Sequence, residues 1–399
     1  MTHSPERAAA RSGATAPPRK PRQPFANAWF FPAAALYAAL LLPVSVLTIL
    51  GLIPALPGLA TPAGHAQEML FGFALAVIAG YLLGPQPVRV TLALLACWLL
   101  ARFGSLFWPG SWMALGATLL FASGLAWKVL PRFIGAAKKW RNQSVAPVVG
   151  GLALLSAVTA SGLDQGLVRL LQHEALLLLA ALLFFMGGRI IAPALAGHAQ
   201  NEGRRLDARV QPHLEGAVLI LLAFALLLAP MPWILLQRLA GATLIAASVL
   251  TTIRLLRWQP WHCRTRMDLL VLLLGYAWLA LGLLLLGLSA IIPALPATAT
   301  LHALSVGALG SLTFGVMART RLVQRFRDPA ARRWIHPLAL LISLAALARI
   351  APALLGWQHT GWLLLAAGCW TLAYLALALL LWQCRDAHPD NGRHLPVER

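Results

Sequence analysis

Two short runs in this sequence place ligand-type side chains at helical spacing. The first is His65-Ala66-Gln67-Glu68-Met69-Leu70-Phe71-Gly72. On a helix, His65, Glu68, Met69 and Gly72 stand at i, i+3, i+4 and i+7 and share one face. An imidazole and a thioether so placed can ligate haem iron or copper, and a carboxylate one turn below can orient the imidazole or relay a proton. The four-residue rhythm continues through Ala76, Gly80 and Gly84, small residues that let a neighbouring helix or a flat ring approach closely. The plainer alternative is an interfacial histidine above a helix-packing stripe. The second run begins His302-Ala303-Leu304-Ser305 and continues through Gly307, Ser311 and Gly315, with the same histidine head and the same small-residue rhythm. A lone histidine is more often satisfied structurally than bound to a metal, so each run supports the other. A third run, Gly187-Gly188-Arg189, sets a guanidinium among apolar residues. It must find a partner there or snorkel to the headgroups. Arg189 could hold a haem propionate, a substrate anion or a protein carboxylate.

The elements that position these residues follow from composition. Of the 399 residues 59% are hydrophobic and only 11% charged, against about 25% charged in a soluble domain. Such a chain cannot cover a water-facing surface. A soluble globular enzyme is excluded, as is disorder outside the ends. The partner for most of the surface is the lipid bilayer, and the fold class is all-α, a polytopic membrane helix bundle. Twelve apolar segments of the length a spanning helix needs run at about 29–51, 67–84, 88–108, 111–130, 145–164, 174–196, 214–232, 233–256, 267–287, 297–318, 335–355 and 360–382. The first is too long for a signal peptide and reads as a retained anchor. Spans seven and eight are separated only by the turn Pro230-Met231-Pro232-Trp233. Residues 1–28, rich in Ala, Pro and Arg, form a basic flexible tail, 29–382 the membrane domain, and 383–399 a C-terminal tail.

Lys and Arg number 32 against 12 Asp and Glu, a formal charge of +20. In a soluble protein this would point to nucleic acid. Here the basic residues sit in short breaks between apolar runs, as in membrane proteins whose orientation they fix, so no nucleic-acid partner is expected. With both termini cytoplasmic, every basic residue falls on the cytoplasmic side except Arg102, Arg169, Arg189, Arg238 and Arg349. A polar layer then forms near the outer face: His65, Glu68, His173, Glu174, His302 and His359 begin descending spans, with Asp164, Arg102, Arg169, Arg238 and Arg349 at a similar level. Such layers mark pathways or cofactor sites. Glu215 and Asp268 read as first-turn acids that favour a helix dipole. Cys97, Cys263, Cys369 and Cys384 form no CxxC and imply neither a disulfide framework nor covalent haem attachment. No phosphate-binding loop, dinucleotide fingerprint, nucleophile elbow or HExxH run is present.

The blocks His65-Ala-Gln-Glu-Met-Leu-Phe-Gly-Phe with Ile78-Ala-Gly-Tyr-Leu, Arg141-Asn142, Gly187-Gly-Arg-Ile-Ile-Ala-Pro193, Arg254-Leu-Leu-Arg-Trp258, Gly275-Tyr-Ala-Trp-Leu and His302-Ala-Leu-Ser-Val-Gly with Met317-Ala-Arg319 resemble, in this order, the NnrS family of bacterial membrane proteins. The resemblance implies twelve helices in the bacterial inner membrane, haem and copper as cofactors, and a role in the nitric oxide response or denitrification. It points to His65 and His302 as metal ligands, with Glu68, Met69 and Arg189 in the cofactor site. Two positions depart from the family pattern. Gln67 stands where its first motif usually has a second histidine, and Leu273 where a histidine often precedes the Gly-Tyr-Ala-Trp block. His173 and His359 could compensate by reaching inward. Nitric oxide is small, apolar and enriched in the bilayer, which suits a site in a lipid-facing bundle. No electron-donor site is evident, and the redox partner and any enzymatic activity stay open. The competing readings are a permease for a small solute or metal complex, and a metal-free scaffold.

Overall fold

The computed structural model describes residues 23–136, 143–357 and 359–385. Among them the chain forms twelve helical rods and no strand. They are α1 (Asn27–Ile49), α2 (Pro62–Leu82), α3 (Val88–Phe107), α4 (Trp112–Ala136), α5 (Val145–Thr159), α6 (Gln165–Asn201), α7 (Pro212–Leu228), α8 (Ile234–Arg257), α9 (Met267–Ile291), α10 (Ala297–Phe326), α11 (Ile335–Leu355) and α12 (Thr360–Gln383). Eleven have the length and apolarity to cross a membrane, and α5 is an apolar helix of 15 residues. The protein is a multi-pass membrane helix bundle. The turn expected at Pro230–Trp233 is present, since α7 ends at Leu228 and α8 starts at Ile234. Of the expected tails 1–28 and 383–399, residues 1–22 and 386–399 lie outside the described residues, as does the Arg141-Asn142 block.

The largest boundary difference is at α6. The expected span 174–196 is the middle of a 37-residue helix. The chain turns at Gly162, with φ +79°, and Asp164 caps α6 by accepting from the Gly166 and Leu167 amides. The first two turns of α6 carry Arg169, Gln172 and His173, which lower the local hydropathy without weakening the helix.

α2, α6 and α10 stand inside the bundle, with the other rods following around them in chain order until α12 meets α1. α6 packs on both α2 and α10, whereas α2 and α10 do not pack closely on each other. These two rods, headed by His65 and His302, share a second feature. Each opens with a short α-helical stretch and then widens into a π-helical segment, Glu68–Ala74 in α2 and Ala303–Gly310 in α10. π segments frequently occur at functional sites and leave backbone carbonyls in need of partners. Here neighbouring aromatic side chains supply them. Trp98 Nε1 of α3 donates to the Gly72 carbonyl, and the Tyr374 hydroxyl of α12 to the Gly310 carbonyl, both at 2.9 Å.

The small-residue stripes admit the protein's own rings. A Cβ on Gly80 would lie 2.6 Å from the Phe31 ring, on Gly307 2.6 Å from Trp278, and on Gly310 2.6 Å from Trp370. Between α2 and α10, Phe73 packs edge-on against Trp370 and Tyr374 at 6.0 and 5.4 Å, and those two rings stack at 4.4 Å. Phe73 lies eight residues after His65, and Gly310 eight after His302. An aromatic floor therefore sits roughly two helical turns below both histidines.

Both ends of the membrane domain meet on the face that carries most of the basic loops. Arg321, 2% exposed, donates to Asn27 Oδ1 at the start of α1, to Gln324, and to the carbonyls of Cys384 and Arg385 after α12. The Arg385 guanidinium in turn lies 4.1 Å from the Trp29 ring centroid. Burial pushes the Cys384 thiol upward, and all four cysteines are free. Arg321→Ala strands several buried acceptors at once and is expected to destabilise the bundle by about 2–4 kcal/mol, seen as a lower unfolding midpoint in detergent. An unchanged midpoint would show that Arg321 is not a latch.

Candidate functional site

The site begins with two imidazoles at the end of the bundle opposite the basic face. His302 Nδ1 bonds the Thr298 carbonyl one turn earlier. A carbonyl can only accept, so Nδ1 carries the proton and Nε2 the lone pair. That Nε2 lies 3.4 Å from Arg349 Nη2 of α11. His65 Nδ1 lies 2.9 Å from Ser45 Oγ of α1. The hydroxyl can accept from Nδ1–H, which leaves Nε2 with its lone pair. Both rings are partly buried. Each lies within electrostatic reach of Arg349, and His302 also of His65. The structure thus brings together His65, His302 and Arg349 from α2, α10 and α11, and each Nδ1 has a partner that can present Nε2 for ligation.

Glu68 turns elsewhere. Its Oε2 accepts from Arg102 Nη1 of α3 at 2.9 Å and from the Tyr37 hydroxyl of α1. With 3% and 1% of the Arg102 and Glu68 side chains exposed, this is a desolvated ion pair. The expected carboxylate support for His65 is therefore supplied by Ser45 instead. Gly72 makes room for the triad, because a Cβ there would meet Tyr37 at 2.8 Å and Glu68 Oε2 at 3.0 Å. Met69 is partly buried and packs against the hydrophobic core. Arg189 is exposed and lies over Phe185 at 5.5 Å, apart from the imidazoles. The neighbouring glycine serves a different arginine. A Cβ on Gly188 would lie 2.2 Å from Arg254 Nη2. Arg254 bonds Glu215 at 2.6 Å and the Tyr276 hydroxyl at 3.1 Å, and stacks on Phe184 and Trp258. Glu215 and Asp268 are thus ion-pair partners rather than plain first-turn acids, Asp268 holding both Arg266 and Arg319.

Gln67 faces away from the imidazole pair. It lines a pocket of about 320 Å³ formed by α2, α3, α4, α5, α6 and the loop before α2, which Glu68 also lines. Gln172 Nε2 donates to the Ala63 carbonyl at 2.8 Å and approaches Gln67 Oε1 at 3.5 Å. His359 accepts from the Gly361 amide and caps α12, and His173 lies beside Glu174 at 3.4 Å, so neither joins the pair. Ser45, Thr298 and Arg349 were not recognised as site residues from sequence. The signal for Arg349 and Arg102 was present, because both are exceptions to the charge asymmetry. Of the other three exceptions, Arg169, Arg189 and Arg238 are all exposed.

A family model described as NnrS protein matches residues 24–384. The chain belongs to the NnrS family. A comparison with curated proteins returns no match. Three of the weaker NnrS-like blocks, Gly187-Gly188, Arg254 with Trp258, and Tyr276, meet in the single buried cluster around Arg254. The two departures from the NnrS pattern also acquire locations. Residues i and i+2 of a helix face different sides, so position 67 belongs to the pocket and not to the His65 face. Leu273 is buried in α9, roughly 9 Å along the axis from Met267, toward the basic face. Neither substitution removes a side chain from the His65–His302 pair.

The buried Glu68–Arg102 pair gives a direct test of these electrostatics. Arg102→Met leaves a carboxylate in an apolar setting and is expected to cost about 3–5 kcal/mol. The double variant Glu68→Gln/Arg102→Met is expected to recover much of it, read from unfolding midpoints. Equal losses in single and double variants would show that the two charges do not interact.

Proposed function

We propose that this NnrS family member is a haem-binding protein of the bacterial cytoplasmic membrane that meets nitric oxide, with His65 and His302 as the residues that would hold the haem. The observation that carries the reading is the α2–α10 arrangement. Two rods of the same direction, each headed by a histidine whose Nδ1 has a partner, are kept apart by α6 and by an aromatic floor. Neutral imidazole with Nε2 free is the ligand form haem iron requires. When bound, the haem supplies an iron centre with affinity for nitric oxide. The residues do the rest. Thr298 and Ser45 fix ring orientation, the floor of Phe73, Trp370 and Tyr374 bounds the space on the membrane side, and apolar helices leave the site open to a lipid-soluble gas.

The donor set does not fit a multi-histidine copper centre, because among the described residues no three His, Cys, Asp or Glu side chains converge. A permease reading draws on the pocket beside Gln67, but the carboxylate that lines it, Glu68, is locked to Arg102. The density of basic residues on the loops at the end opposite the histidines supports placing those loops in the cytoplasm.

Purified wild type from haem-sufficient cells is expected to show a Soret band and about one haem per chain, as a single histidine site would hold. His65→Ala and His302→Ala each lose or strongly shift the band, while Ser45→Ala retains haem with weaker affinity. A well-folded, colourless wild type that takes up no added haemin would end this reading.

A further inference from the structure

Among the described residues, the arginines of the rods that turn into the bundle meet oxygen acceptors, and Arg349 does not; Arg169, Arg189 and Arg238 are exposed on their rods. Arg102, Arg254 and Arg319 each face a carboxylate: Glu68, Glu215 and Asp268. Arg132 donates to the carbonyls of Leu82 and Leu83, and Arg321 to a set of amide and carbonyl oxygens. Arg349 is partly buried in α11, and among the described residues it meets no carboxylate. Its one polar contact among the described residues is the neutral Nε2 of His302 at 3.4 Å. The other ionisable side chain it reaches is His65. One positive charge is therefore held among imidazoles and apolar helices without a counter-charge, an expensive arrangement in a membrane.

The contact with His302 sharpens the point. Nδ1 is committed to the Thr298 carbonyl, so Nε2 has a single lone pair to offer. That lone pair can serve the guanidinium or a metal ion, and not both. Whenever His302 acts as a ligand, Arg349 loses this polar partner and needs another acceptor close by. A guanidinium offers a planar fork of donors that matches a carboxylate or oxyanion.

We propose that Arg349 is an anion-binding residue at the His65–His302 site, donating to one carboxylate or small oxyanion. That negative charge has two sources. One is a propionate of the macrocycle, which rests on the haem reading above. The other is a free oxyanion such as nitrite, which does not.

The test uses the full chain, purified haem-free in detergent, as wild type, Arg349→Gln and Arg349→Lys. Each is titrated with haemin, with haemin dimethyl ester, whose propionates carry no charge, and with sodium nitrite. If the anion is a propionate, Arg349→Gln weakens haemin binding by about tenfold to a hundredfold, leaves the ester unchanged, and Arg349→Lys lies between. If it is a free oxyanion, wild type binds nitrite, Arg349→Gln binds it at least tenfold more weakly, and both proteins treat haemin and its ester alike. Arg349→Gln matching wild type for all three probes overturns the proposal. Should wild type bind neither porphyrin, the haem reading fails, and the nitrite titration alone decides for or against Arg349. Should Arg349→Gln not fold, wild type supplies the answer: no preference for haemin over its ester, together with no nitrite binding, overturns the proposal.

Discussion

A charge can enter an apolar slab only with something to neutralise or solvate it, and this constraint organises the bundle. Glu68 and Arg102 tie α2 to α3, with Tyr37 drawing in α1. Glu215 and Arg254 tie α7 to α8, with Tyr276 of α9. Asp268 and Arg319 tie α9 to α10. The pairs lie at different depths and along the whole chain, so they set which rods are neighbours and in what register. Apolar packing has no such preference between helices in lipid, where hydrocarbon competes equally well for every flank.

The same constraint separates structural groups from those free to act. Glu68, the nearest carboxylate to His65 in sequence, is consumed by Arg102 and Tyr37. Arg254 is consumed by Glu215 and its aromatic neighbours. What is left near the histidine face is the set His65, His302 and Arg349, oriented by hydroxyl and carbonyl partners rather than by carboxylates. The two π segments belong to this picture. They lie directly below the histidines, and their displaced carbonyls are caught by Trp98 and Tyr374. The widened turns are thereby held in place by rings from outside the helix.

The rods themselves were legible because hydropathy and bilayer thickness act on every span alike. What hydropathy could not show is the start of α6, where Arg169, Gln172 and His173 interrupt the apolar signal but not the helix. The His65 and His302 runs were legible as ligand candidates from residue type and direction. Their partners were less so: Arg349 stood out only as an exception to the charge asymmetry, Thr298 bonds through its backbone carbonyl, which no residue type announces, and Ser45 meets His65 only through packing. Glu68 illustrates the limit of helical-face reasoning. It shares a face with His65 on an ideal helix, yet the π segment begins at Glu68 and a partner on α3 draws the carboxylate away. Gly188 illustrates another: the glycine reads as belonging to Arg189 beside it, and serves Arg254 from another helix.

Arg321 joins Asn27 to the carbonyls of Cys384 and Arg385, residues at opposite ends of the membrane domain. α1, the first described rod in chain order, therefore has its neighbour in α12, the last described rod. Until α12 is made, the flank of α1 that will hold Trp370 and Thr371 against its carbonyls must be covered by lipid or by an assembly factor. Ring closure between α1 and α12 joins described residues 332 apart in sequence, contacts that carry a large loop-closure cost. Without α12, the other eleven described rods would present an open seam along α1, the one feature by which an unfinished bundle would differ from a closed ring.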